Sequence, residues 1–295
     1  MKGADQYVVF EKETEWGTGA DLASGSTPVL LVGAGLEPNE RNEFVSVRAN
    51  DAFPAIRRHE LVKQAVELAL TTPIYIDSVT ALMEMGEKRT DGELDSFTFG
   101  KHEFTASDVY YVGVKSNSMT LRWSAGDLVE LTHQLVAKGF GSALNMAAPS
   151  SGYPTGMPYK GARVSVSVNG VAAVGVESGE ITWNNNLNVG PVGSGFSIGF
   201  LDAGFCEVSG RIRAKFTSAA WHTLLRTLTN SDLTSFATVL TFANNTGVTA
   251  KNLVVTCATC FAQSGAAKVG DQGETLMCDL EIVTMGTVPT VTYPT

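Results

Sequence analysis

The feature that most constrains this chain is a short period-two pattern, repeatedly cut by turn residues. Residues 163–168 alternate apolar and polar side chains, Asn169-Gly170 interrupts them, and residues 171–176 resume the apolar pattern. Asn-Gly between two such runs predicts a two-residue hairpin, because a type I′ turn needs positive φ at both central positions. The same texture recurs in Phe44-Val45-Ser46-Val47, Val109-Tyr110-Tyr111-Val112, Met119-Thr120-Leu121-Arg122-Trp123 and residues 128–136, with Ser124-Ala125-Gly126-Asp127 as a hairpin loop between the last two. Alternation over such short runs belongs to strands with one buried face. At 295 residues the chain has room for one large domain or two of half that size. With 44% hydrophobic and only 17% charged residues it must bury a core rather than stay disordered.

Two segments read as helices. Thr72 can cap one, with Pro73 at its first position, where the missing N–H is not needed. Ile76, Val79 and Met83 then form an apolar stripe that Gly86 ends. The other starts near Thr217-Ser218 and carries Trp221, Leu224 and Leu228 at the same spacing, a constant shift of 145. Neighbouring strands repeat at similar shifts. Val62, Val66, Leu68 and Leu70 match Val208, Ile212, Ala214 and Phe216 at 146, and Thr98-Phe99 matches Thr241-Phe242 at 143. Val109-Tyr110-Tyr111 matches Leu253-Val254-Val255 at 144, and Leu131 matches Met277 at 146. One strand–helix–strand–hairpin unit is therefore expected twice.

The expected fold is mainly β (α+β): two similar sandwich or barrel units, each with a short amphipathic helix on its sheet. The expected layout is an N-terminal arm at 1–27, a first unit at 28–146, a linker at 147–159, a second unit at 160–288 and a tail at 289–295. The linker follows from Pro149, Pro154 and Pro158.

Catalytic patterns are missing from the sequence. It has no phosphate-binding G-x-x-x-x-G-K-[ST], no H-E-x-x-H and no G-x-S-x-G. Gly33-Ala34-Gly35 lacks the third glycine of a dinucleotide fingerprint, because Pro38 stands there. His59, His102, His133 and His222 sit at no mutual ligand spacing. Cys257 and Cys260 are the sharpest candidates for metal chemistry, yet a zinc site wants two such pairs. In a regular strand, moreover, residues three apart face opposite sides. No catalytic, cofactor or metal residue is expected, and the chain reads as a non-enzyme.

Net charge is -9, and residues 1–100 hold 17 of the 30 acidic side chains but only 9 of the 21 basic ones. Such a surface repels phosphate backbones, which argues against a sequence-reading nucleic-acid binder. The N-terminus lacks an apolar signal core, and no run suits a membrane span. Cytoplasmic synthesis with reduced cysteines is the expectation.

Several stretches resemble the tail tube (major tail) proteins of tailed bacteriophages. Glu15-Trp16-Gly17-Thr18-Gly19-Ala20 resembles their opening arm. Residues 111–121, with Gly113, Lys115, Asn117, Ser118, Thr120 and Leu121, resemble their "G-x-K-x-N-S-x-T-L" strand, followed by Gly126-Asp127-Leu128-Val129. Residues 176–187, ending Asn185-Asn186-Leu187, resemble a later strand, and residues 204–212 the strand entering the helix. The likeness spans roughly residues 5–285.

The resemblance implies a virion protein whose rings stack into a hollow tail tube, the conduit for genome ejection. Expected partners are the chain itself, a tape-measure protein in the lumen, tail terminator and distal tail proteins, and phage DNA passing non-specifically, with no membrane. Assembly would take place in the host bacterial cytoplasm. With two units per chain, three chains would form a pseudo-six-fold ring; six chains is the alternative. Trp16 and Gly17 of the arm, and Asp91 and Asp95 of the loop at 91–101, are the expected inter-ring contacts. Competing readings are a tail terminator, a baseplate hub, a contractile injection tube or an unrelated β-sandwich binding module.

Overall fold

The structure is a computed structural model. It describes residues 7–22, 27–29, 36–48, 56–89, 91–103, 107–141, 156–191, 198–215, 223, 227, 235–244, 251–268, 277–284 and 288–295. The first half runs through β1 (Tyr7–Lys12), β2 (Thr27–Val29), β3 (Glu37–Arg48), β4 (Ile56–Pro73), the helix α1 (Val79–Glu84), β5 (Phe97–Glu103), β6 (Ser107–Ser124), β7 (Glu130–Ala137) and β8 (Gly139–Phe140). The second half runs through β9 (Val164–Val168), β10 (Val171–Ala172), β11 (Val176–Asn184), β12 (Asn188–Pro191), β13 (Ile198–Asp202), β14 (Glu207–Lys215), β15 (Phe236–Phe242), β16 (Leu253–Lys268), β17 (Met277–Thr284) and β18 (Thr290–Thr292). The fold is mainly β, built around one large antiparallel sheet.

The ladders of the two halves follow one plan. In the first half the strands neighbour one another in the order β2-β1-β5-β6-β7-β4-β3. In the second the order is β10-β9-β15-β16-β17-β14-β11. Even the irregularities match. β6 and β16 both carry an extra residue, where Tyr111 and Val114 face Phe99 and Phe97, and where Cys257 and Cys260 face Thr238 and Phe236. The β6·β7 ladder slips between Ser116 and Ser118, and the β16·β17 ladder between Ala262 and Ser264. The β3·β4 ladder slips at Val47/Arg48, and β12·β13 at Gly190/Pro191. A bulge marks a single position in a ladder, so these coincidences say more than strand order alone. They make β12 and β13 the outer half of a hairpin whose counterpart, β3–β4, runs unbroken.

One ladder joins the halves: residues 118–124 of β6 pair antiparallel with residues 178–184 of β11. The core is continuous across it. Leu68 and Leu70 of β4, Leu131 and Leu135 of β7, Met119, Leu121 and Trp123 of β6, and Ile181 and Trp183 of β11 all point to one side and are buried. Val79, Leu82 and Met83 of α1, and Phe10, Phe97 and Phe99 of β1 and β5, complete the same cluster. Trp123 meets Phe242 of the second half edge-on, with ring centres 5.4 Å apart. Each such side chain contributes about 1.5–3 kcal/mol on burial.

Several sequence expectations change in the structure. Thr72 and Pro73 do not open a helix; they extend β4 opposite Leu131 and Glu130. Thr71-Thr72 is β-branched and favours the strand, so α1 starts only at Val79, after Ser78. The expected stripe survives in part: Val79 and Met83 are buried, and Ile76 packs half-buried against the core. In the second half Thr223 and Thr227 are helical, with the Thr227 hydroxyl donating to the Thr223 carbonyl at 2.8 Å. Trp221, Leu224 and Leu228 lie outside the described residues.

Residues 109–112 and 119–123, expected as separate strands, are one strand, β6. Gly113 bends it with a φ of 64°. A Cβ there would approach Trp16 Nε1 to 2.8 Å, so the bend needs glycine. Tyr7–Lys12, placed in an arm on the sequence, is strand β1 and pairs with β5. Of the expected linker, the described residues 156–159 are held in place: Pro158 bridges Tyr75, and Tyr159 is buried with its hydroxyl donating to the Lys251 carbonyl. The hairpin at Asn169-Gly170 forms with φ of 49° and 78°, although β10 is only two residues long.

Candidate functional site

The sheet has a second face, opposite the core. Along β4, β7, β6, β11, β14 and β17 the residues between the buried ones turn away from the core, because side chains alternate across a strand. Register places them in rows. Thr71, Thr132, Thr120, Thr182 and Ser209 follow one another across five strands. The hydroxyls of Thr71 and Thr132 lie 3.1 Å apart, and those of Thr120 and Thr182 lie 3.0 Å apart.

The neighbouring row reads Glu130, Arg122, Glu180, Arg211 and Glu281. Charge changes sign at every strand. Arg211 reaches Asp279 at 3.5 Å and Arg213 reaches Glu177 at 2.9 Å. Exposed pairs such as Arg213–Glu177 are each worth under about 1 kcal/mol. Their larger effect is to cancel the long-range field. Arg122, Ser124, Glu130, Ser178, Glu180, Arg211 and Arg213 also line a broad trough of about 930 Å3.

None of these wall residues was expected from the sequence as part of a site, although Thr120 belongs to the stretch that carries the resemblance. Period-two alternation alone could have marked them as outward-facing. Register, which sets Arg122 between Glu130 and Glu180, was needed to reveal the rows.

The four expected contact residues lie elsewhere. Trp16 is half-buried, donates from Nε1 to the Gly113 carbonyl at 3.0 Å, and has the Lys138 ammonium 4.6 Å over its ring. It packs with Ile198, Leu201 and Val136, where the β12–β13 hairpin folds onto the first half. The Gly17 amide donates to Glu13 at 2.7 Å, and the same buried carboxylate accepts from Thr98 and from the Gly113 amide, both at 2.8 Å. Asp95 is bridged by Lys12 and lies 3.7 Å from Arg89, whereas Asp91 is exposed and pairs with Arg89 at 2.7 Å. Trp16 and Gly17 thus meet at one place, and Asp91 and Asp95 at another.

Cys257 and Cys260 share the core side, since the bulge in β16 cancels the alternation expected to separate them. The Cys260 thiol donates to the Cys257 carbonyl at 3.5 Å. Donation from the Cys257 thiol to the Cys260 sulfur, together with burial, pushes the Cys257 thiol up. Among the described residues no group of three or more His, Cys, Asp or Glu side chains could hold a metal.

His133 and Glu87 are also strongly displaced. Burial lowers His133, on the core side of β7, to about 4; its Nδ1 lies 3.0 Å from the Ser116 hydroxyl. Burial raises Glu87 to about 7, partly offset by the neighbouring Tyr293 hydroxyl, which favours the charged form. Neither group faces the polar rows. Among the described residues no helix is long and apolar enough to cross a membrane.

What the geometry offers is a wide wall rather than a pocket for chemistry: hydroxyl rows beside sign-alternating charge, on a sheet whose strand β3 pairs, among the described residues, only with β4. A comparison with curated proteins finds no match. A family model described as phage tail tube protein matches residues 3–284. Covering nearly the whole sequence, that match shows that the chain belongs to the phage tail tube protein family, a structural component of the virion tail.

Proposed function

We propose that each half of the chain is one tube unit, and that three copies close into a ring with the polar rows lining a channel. The observation that carries this reading is the repeated strand order, with its repeated bulges, joined through β6 and β11. The path β3-β4-β7-β6-β11-β14-β17-β16 supplies eight strands per copy. Three copies would close a barrel of about 24 strands, roughly 45–50 Å between opposite backbones. Barrels of about 16–18 strands already leave an aqueous channel. A closed ring removes the sheet edges, and head-to-tail stacking of rings extends without limit.

The role is structural, not catalytic. The channel passes the genome into the host cell, and its wall neither holds nor strongly repels a polyanion because the charges alternate over distances shorter than the screening length. A tape-measure protein fills the lumen before ejection, tail terminator and distal tail proteins close the ends, and assembly takes place in the host cytoplasm. All four expected ring-to-ring residues have partners in their own chain; Asp91 suits the role best because it and its partner Arg89 are both about half exposed. Mass measurement on isolated rings, with averaged end-on images of tubes, tests the reading. Three chains per ring is the expected result, and six whole chains would overturn it.

A further inference from the structure

The chain contains one worked example of how its two halves join edge to edge, and it leaves over another pair of the same two edges. Ladder partners align β6 with β16 at a shift of 146: Tyr111 with Cys257, Val114 with Cys260, Ser116 with Ala262 and Ser118 with Ser264. They align β3 with β11 and β12 at a shift of 143: Glu37 with Glu180, Glu40 with Trp183 and Arg48 with Pro191. Residues 264–268 of β16 therefore stand where residues 118–122 of β6 stand, and residues 37–41 of β3 where 180–184 of β11 stand. In the first case the edge is filled by the chain itself. In the second, among the described residues, 264–268 pair only with β17, and β3 pairs only with β4.

We infer that residues 37–41 of β3 in one copy pair antiparallel with residues 264–268 of β16 in the next copy. The register is that of the internal junction: Asn39 opposite Ala266, Glu37 opposite Lys268 and Arg41 opposite Ser264. This rests on the proposed ring and names the contact that builds it.

Two observations support the assignment beyond the open edges. At the internal junction Arg122 stands opposite Glu180; carried across, the register sets Lys268 opposite Glu37, so opposite charges recur although both residues of the pair lie at different places in the sequence. The wrapping hairpin also has a counterpart. β12 and β13 fold over Val136, where Ile198 and Leu201 cover it. Val283 takes the place of Val136 in the second half, one residue before Thr284 as Val136 is one before Ala137, and it is only half-buried. The unbroken β3–β4 hairpin of the next copy is the element available to cover it. The occupant is a second copy, joined head to tail rather than by a two-fold axis, because the two edges differ.

Cysteine pairs read the register directly. The full chain with Asn39→Cys and Ala266→Cys, assembled into tubes and oxidised, should pass largely from monomer to multimers on a non-reducing gel. Thr120→Cys with Thr182→Cys, at the internal junction, should form its bond inside one chain and run as a monomer. Asn39→Cys with Gly265→Cys puts the two side chains on opposite faces and should stay uncrosslinked, like the parent chain with its four native cysteines. Intact tubes without multimers from the first pair would overturn the register while leaving the ring standing. So would dimers from Asn39→Cys alone, which would mean that β3 pairs with itself. If microscopy of the same preparations shows neither rings nor tubes, the proposed function falls, and this contact with it.

Discussion

The β3–β4 hairpin and its counterpart in the second half share a register and a bulge, yet one runs unbroken and the other does not. In the second half the ladder is interrupted at 185–187 and 203–206, and the outer part, β12 with β13, forms its own small sheet. Asn185 holds the break. Its buried side-chain amide donates to the carbonyls of Gly86 and Ser116, both at 3.0 Å, and Asn186 follows with a φ of 47°. The Leu187 amide donates to Asn117 at 3.0 Å, and the Lys115 ammonium to the Leu201 carbonyl at 2.8 Å. Every one of these anchors belongs to the first half. The same hairpin folds back where the chain itself supplies a surface to wrap, and stays extended where it does not.

The comparison can be broken most severely at the seam. Trp123 lies opposite Gly179, and a Cβ on that glycine would come within 2.3 Å of the indole. Trp123→Ala should cost about 3–5 kcal/mol, seen as a large drop in the urea midpoint and earlier separation of the halves by hydrogen exchange. An unchanged midpoint would mean that the halves are stable apart.

A second difference concerns acid. His133 in β7 has Leu280 of β17 as its counterpart, through ladder partners Leu70 and Ile212. The folded state holds His133 neutral, with its value lowered to about 4. The unfolded chain binds that proton near 6.5. The stabilisation is therefore complete above about pH 6.5 and is lost as pH falls towards 4, a change of up to about 3 kcal/mol. Denaturation followed from pH 7 to 4 should show this slope in the native chain and lose most of it in His133→Leu.

Asn185→Ala should cost about 1–3 kcal/mol, because two buried carbonyls lose their donor. Limited proteolysis should then cut within 188–202 well before the rest of the chain. Glu87 offers a smaller effect of opposite sign. Its raised value favours the protonated form in the folded state, so stability present below about 4.5 is lost as pH rises through about 7. Glu87→Gln should gain about 1–2 kcal/mol at pH 8 and nothing at pH 4, by thermal melts at the two pH values. Smallest of all, Arg122→Ala should shift stability by less than about 1 kcal/mol, since Arg122 itself is exposed.

How much of this was legible in the sequence depended on the range of the interaction. Asn169-Gly170 announced its hairpin because turn chemistry is local. The buried alternation of β4, β7 and β14 was legible for the same reason. The offsets read between the two halves differ from those of the ladders: Leu70 was matched to Phe216, whereas the ladders set it against Ile212. A slip of four preserves both strand parity and apolar pattern, so composition cannot detect it. The long β6 was missed because Gly113 looks like a turn, and its bend depends on Trp16, far away in sequence. The Cys257–Cys260 pair was misjudged because a bulge is invisible to a strict period of two. Rows of the polar wall exist only once five strands are in register.

The ladder between β6 and β11 has a consequence for assembly kinetics. Both partners lie on one polypeptide, so this seam forms by a first-order step whose rate does not depend on how much protein the cell has made. A contact between copies obeys mass action and fails on dilution. Tethering two segments corresponds to an effective concentration of about millimolar for a short connection. In a ring of three such chains, half of the seams would already be closed before any two copies met. The concentration needed to nucleate a ring would then be set by three encounters rather than six.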